Sequence, residues 1–128
     1  MDDGPASGPP DGPASNPRPA GGDVGARQEQ TIAGFQRAIE GTFFERDRRR
    51  GTAATFVWFV EEVGELARAL KKGDRTNLEE EFGDVLAWLS TLASLAGIDL
   101  AAAAEVYRDG CPTCHARPCA CAVRPLAI

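Results

Sequence analysis

A six-residue phrase written twice constrains this chain more than any other feature. Glu61-Glu62-Val63-Gly64-Glu65-Leu66 returns, 19 residues on, as Glu80-Glu81-Phe82-Gly83-Asp84-Val85. Each copy reads acid, acid, apolar, Gly, acid, apolar, and each sits in a segment of helical periodicity. Residues three apart on a helix share a face, one turn above the other. Glu62 and Glu65 therefore form one pair, and Glu81 and Asp84 another. Two such helices packed side by side bring four carboxylates together. Like charges that close repel unless something positive lies between them. A hard divalent cation with oxygen ligands, Mg²⁺ or Mn²⁺, answers that need. The bland alternative is a solvated acidic face, which suffices for Glu79, Glu80 and Glu105. It does not explain a duplicated phrase with interior glycines and an acid at the edge of an apolar stripe.

Around the phrase the chain reads as helices only. A first helix is expected from near Gln28 or Thr31 to about Arg49, with Ile32, Phe35, Ile39 and Phe43 on one stripe. A second runs from about Thr52 to Lys72, with Phe56, Phe59, Val63, Leu66, Ala67 and Leu70 inward. Lys71-Lys72-Gly73-Asp74 supplies basic residues for its last turn and a glycine stop. A third runs from about Thr76 to Ala96, with Leu78, Phe82, Val85, Leu89 and Leu92 inward. Asp99 N-caps a short fourth helix, from Leu100 to about Arg108. Gly64 and Gly83 each cost about 1 kcal/mol in a helix interior, which suggests close helix approach at the acidic centre. The expected fold is all-α, a small four-helix bundle completed by dimerisation.

The flanks differ in character. Residues 1–27 hold six of the nine prolines and repeat Asp-Gly-Pro-Ala-Ser. They carry too little apolar bulk to offset ordering entropy, so a disordered tail is expected there. The helical domain then spans 28–109, and a Cys-rich extension 110–128. Cys111, Cys114, Cys119 and Cys121 read C-x2-C-x4-C-x-C. A thiolate knuckle of this kind suits tetrahedral Zn²⁺ or another soft metal. Free thiols, a redox pair and a disulfide remain open beside it.

Bulk properties exclude several classes. A net charge of −5 disfavours broad nucleic-acid binding. No apolar run approaches the roughly 20 residues of a membrane span. The N-terminus lacks the basic-then-apolar pattern of a signal peptide. The expected compartment is the cytosol, where thiols stay reduced.

The pattern Glu61-Glu62-x-x-Glu65, fifteen residues, then Glu81-x-x-Asp84 resembles the motif of the MazG-like nucleoside triphosphate pyrophosphohydrolases. The flanking text, Phe56 to Leu70 and Phe82-Gly83-Asp84-Val85-Leu86, fits as well. The resemblance covers roughly Gln28 to Arg108. The Cys cluster is similar to a C-terminal extension of some small single-domain members. The resemblance implies an all-α fold that pairs as a homodimer or homotetramer. It also implies Mg²⁺-dependent hydrolysis of a nucleoside triphosphate, a dNTP or a non-canonical NTP, to the monophosphate and pyrophosphate. By position, Glu62, Glu65, Glu81 and Asp84 would be metal ligands, and Glu61 would orient or deprotonate the attacking water.

Other candidates follow from the chemistry of that substrate. Lys71, Lys72, Arg46 and Arg50 are cations for the outer phosphates, each equally readable as a solvated helix cap. Trp58 lies one turn before Glu62 and Trp88 one turn after Asp84. Either ring could stack on a base, or belong to a core or dimer interface. Gln36 is a candidate donor to a base edge. A nearby alternative is phosphoribosyl-ATP pyrophosphohydrolase. An alternative from another class is a non-catalytic regulatory protein of the same fold that binds nucleotide or metal.

Overall fold

Capping residues write most of the helix boundaries. The computed structural model describes residues 29–123. Helix α1 spans Ile32–Arg50, α2 Thr52–Lys72, α3 Arg75–Leu95 and α4 Leu100–Ala104, followed by a 3₁₀ turn over Glu105–Tyr107. Thr31 caps α1, its Oγ1 accepting from the Gly34 N–H at 2.9 Å. Gly51 at φ 85° breaks the chain between α1 and α2. Gly73 at φ 73° ends α2 in the left-handed region, where a side chain would be strained. Asp74 then caps α3 by accepting from the Thr76 and Asn77 N–H groups. Asp99 does the same for α4 through Ala101 and Ala102. The fourth helix was expected to reach Arg108. It tightens instead to 3₁₀ after Ala104, as final turns often do.

Among the described residues there is no strand, and the architecture is all-α as expected. The expected tail at 1–27, and residues 124–128 of the C-terminal extension, lie outside the described residues. No single described helix is long and apolar enough to cross a membrane.

Helices α2 and α3, joined by a two-residue turn, pack against each other as a hairpin, and α1 lies mainly on α3. The α1–α3 seam is polar. Ser94 Oγ donates to Glu40 at 2.7 Å, and Thr91 Oγ1 donates to Asp47 at 3.0 Å. Asp47, buried, faces Arg50 at 3.0 Å. The Arg50 guanidinium lies over the Trp88 ring, 4.9 Å from its centroid, a cation–π contact strengthened by burial.

The core is small. The only apolar side chains buried among the described residues are Ala69, Ala87, Trp88 and Ala93. This corrects the expected stripes. Phe56, Val63 and Leu70 of α2, and Phe82 and Leu89 of α3, stand substantially exposed. Periodicity marked the apolar faces correctly but assigned them to the interior of one chain. The glycine expectation also fails. A Cβ on Gly83 would meet nothing within 4 Å, and one on Gly64 only the Arg68 tip at 3.9 Å. No close helix approach requires either glycine within this chain.

Candidate metal centre

Helix α2 contributes Glu62, and α3 contributes Glu81 and Asp84 one turn apart. One carboxylate oxygen from each lies within 4.8 Å of the others. Three of the four expected ligands therefore converge. Glu65 sits one turn beyond Glu62, half-buried, and pairs with Arg68 at 3.3 Å. It stays close enough for its charge to act on both Glu62 and Asp84. Glu61 is exposed on α2, outside the trio.

Crowding of charge is visible in the acidities. Burial, then the charges of Asp84 and Glu65, push the Glu62 carboxyl up to about 7. Burial, then Glu81, Glu80 and Glu65, push Asp84 up to about 6. Both effects disfavour the anion. The Trp88 indole N–H is aimed at Glu62 and partly offsets the rise, although it does not reach full hydrogen-bond geometry. Glu80, read from sequence as an outward-facing acid, still adds to the field at Asp84.

Two oxygens are conspicuous. Glu62 Oε2 and Glu81 Oε2 are buried without a hydrogen-bond partner. Leaving a charged acceptor in that state is costly. Glu81 Oε1, by contrast, accepts from the Asn77 side-chain amide at 3.0 Å. Asn77 was missed in the sequence, although its i,i+4 spacing to Glu81 was a usable signal. Also missed was the chain of contacts from Asp47 through Arg50 to the Trp88 ring, whose indole faces Glu62. It braces one wall of the site from α1.

The remaining candidates fall elsewhere. Trp88 is 1% exposed with Arg50 over its ring, so it is not open to stack on a base. Gln36 is fully spent. Its amide donates to Ser94 Oγ and the Ile98 carbonyl and accepts from the Leu100 N–H, latching α1 to the α3–α4 corner. It has no donor left for a base edge. Arg50 serves Asp47 and Trp88. Arg46 is half-buried with its guanidinium 5.0 Å from the Phe43 ring centroid. Lys71 and Lys72 are exposed at the end of α2, and Trp58 is half-buried. The four cysteines gather separately, beyond the 3₁₀ turn.

The donor set suits a hard divalent cation. All three donors are carboxylate oxygens, as Mg²⁺ and Mn²⁺ prefer. Oxygens on one octahedral Mg²⁺ lie about 3 to 4 Å apart, so small side-chain rotations suffice. The two orphaned oxygens would gain the partner they lack.

The family model of the MazG nucleotide pyrophosphohydrolase domain matches residues 50–109. That stretch contains the α2–α3 hairpin and every acid of the site, and leaves most of α1 outside. No curated protein matches the chain. Residues 50–109 are thus similar to the MazG nucleotide pyrophosphohydrolase domain.

Proposed function

We propose that the protein is a Mg²⁺-dependent pyrophosphohydrolase that cleaves a nucleoside triphosphate, a dNTP or a non-canonical NTP, to the monophosphate and pyrophosphate. One observation carries the reading. Within the matched domain, three carboxylates converge and two of their oxygens are buried and unpartnered. In this reading Glu62, Glu81 and Asp84 hold the cation, and Glu65 completes the edge of the set after letting go of Arg68. Mg²⁺ when bound there supplies charge neutralisation and Lewis-acid polarisation for a triphosphate that four acids would otherwise repel. Glu61, exposed beside the site, orients the attacking water and takes its proton. Lys71 and Lys72 steady the outer phosphates, and Trp58 offers a ring to the base. Asn77 and Trp88 hold Glu81 and Glu62 in place.

The active form is a homo-oligomer, a dimer at least. The support is the pair of exposed apolar stripes, Phe56, Val57, Val60 and Val63 on α2 and Phe82, Leu86 and Leu89 on α3. Contiguous faces of that kind mark interaction surfaces. The compartment proposed is the cytosol, where cysteines outside any disulfide, as these four are, stay reduced.

The test is product analysis across ribo- and deoxyribonucleoside triphosphates and phosphoribosyl-ATP, with Mg²⁺ and with chelator. Monophosphate and pyrophosphate in equal amounts, only when metal is present, are expected from at least one nucleoside triphosphate. Orthophosphate as the first product, or turnover undiminished by chelator, would refute the proposal. Turnover of phosphoribosyl-ATP alone would reassign the substrate. Silence across the panel from folded, Mg²⁺-saturated protein would leave only a binding role.

A further inference from the structure

Among the described residues beyond the 3₁₀ turn there is no regular element and most side chains are exposed, yet the segment closes on itself. Gly110 takes φ 127°, and a Cβ there would sit 2.9 Å from the Ala116 carbonyl oxygen. His115 adopts φ 60°, a left-handed turn residue. The Cys111 N–H bonds the Ala116 carbonyl at 3.1 Å, and the His115 N–H bonds the Cys111 carbonyl at 2.7 Å. The Arg117 guanidinium donates back to the Arg108 carbonyl. Such a segment cannot bury a core of its own, and short segments of this sort need a staple.

The four cysteines have the geometry of one. Cys111 Sγ lies 3.8 Å from Cys121 Sγ, and Cys114 Sγ lies 3.8 Å from Cys119 Sγ. All four sulfurs lie within 4.8 Å of one another. A disulfide would hold two sulfurs at about 2.05 Å and would leave the other pair unrelated to it. Zinc bonds thiolate at about 2.3 Å, which sets sulfurs at the corners of a tetrahedron about 3.8 Å apart. Both closest pairs have that spacing. Backbone N–H groups also point at the sulfurs: Thr113 at Cys111, 3.4 Å; Ala120 at Cys114, 3.3 Å; Cys121 at Cys119, 3.4 Å. Donors aimed at sulfur favour thiolate, the form that binds metal. Free thiols or a redox pair would not require four sulfurs at one point.

We propose that Cys111, Cys114, Cys119 and Cys121 bind one Zn²⁺ as a closed tetrathiolate site that holds the C-terminal segment folded on itself beyond the helical domain. All four positions are protein sulfur, so no place is left for substrate, and the role is structural. His115, outside the sulfur set, caps the turn. This centre is separate from the carboxylates in both place and donor chemistry, and stands whether or not the chain is a pyrophosphohydrolase.

The experiment is elemental analysis of the full chain purified under reducing conditions, followed by Co²⁺ substitution. One zinc per chain is expected, with an intense thiolate-to-cobalt charge-transfer band and the visible bands of a tetrahedral site after substitution. Chain carrying Cys119→Ser with Cys121→Ser should hold no zinc and keep its helical circular dichroism. Trypsin should cut that variant after Arg108, whose carbonyl Arg117 holds while the segment is folded, much faster than wild type. The proposal is overturned if wild-type chain takes up no zinc while its four thiols titrate freely. It is equally overturned if cobalt gives only the weak bands of an octahedral oxygen site, if the double variant retains zinc, or if iron occupies the site instead.

Discussion

Glu81→Gln is expected to cut pyrophosphate release by more than about 100-fold, because losing even an outer-shell partner of a metal ligand typically costs 10- to 100-fold. The same substitution is expected to stabilise the metal-free fold. Glutamine keeps an acceptor for Asn77 and removes a charge that raises both Asp84 and Glu62. The sign follows from proton linkage. Glu62 and Asp84 titrate near 7 and 6 in the folded chain, above their ordinary values of 4.5 and 3.8. Between those limits the folded state holds more protons than the unfolded one, so metal-free stability falls as pH rises from about 4 to above 7. Both groups are partly solvated, which discounts the effect to roughly 1 to 2 kcal/mol in all. For a domain this size that is a melting shift of several degrees. Thermal melts in chelator at acid and alkaline pH should show wild type losing stability toward alkaline pH and Glu81→Gln losing less. Equal pH dependence in the two would mean that the carboxylates do not interact as described.

The second large effect concerns the exposed apolar stripes. Leu86 is 46% and Val60 51% exposed in the single chain. If a second copy covers them, each contributes about 1.5 to 3 kcal/mol on burial, and a twofold interface counts every substitution twice. Val60→Glu with Leu86→Glu should therefore turn the dimer into monomer at micromolar concentration, weakening association by at least about 1,000-fold. Sedimentation equilibrium reads this directly. The monomer should also melt earlier, since its own core holds few large side chains. A wild-type chain that sediments as a monomer, or a variant that stays dimeric, would place the interface elsewhere or remove it.

What the sequence disclosed follows a physical pattern. The limits of α2 were readable because Gly51 and Gly73 demand positive φ. The acidic pairs were readable because spacing fixes which residues share a helix face. Hydrophobic periodicity marks a face as apolar without saying what covers it. Phe56 and Phe82 were accordingly assigned to a core that holds Thr55 and Trp88 instead. Arg50, one of a run of arginines, looked like a phosphate ligand. Its partners Asp47 and Trp88 are close in space, but Trp88 is distant in sequence and no local rule links the two. Gln36 was misjudged for the same reason, since its three partners lie 58 to 64 residues away.

The most direct test of the metal centre is calorimetric titration of Mn²⁺ or Mg²⁺ into the metal-free chain, in buffers of different ionisation enthalpy. Near pH 6.5, Glu62 and Asp84 are partly protonated and a cation must displace those protons. The expected result is saturable binding with heat that depends on the buffer at about pH 6.5 and hardly at all at about pH 8.5. Glu81→Gln should bind far more weakly. No saturable heat from wild type, or a Glu81→Gln chain that titrates as wild type does, would contradict the assignment of Glu62, Glu81 and Asp84 as the metal ligands.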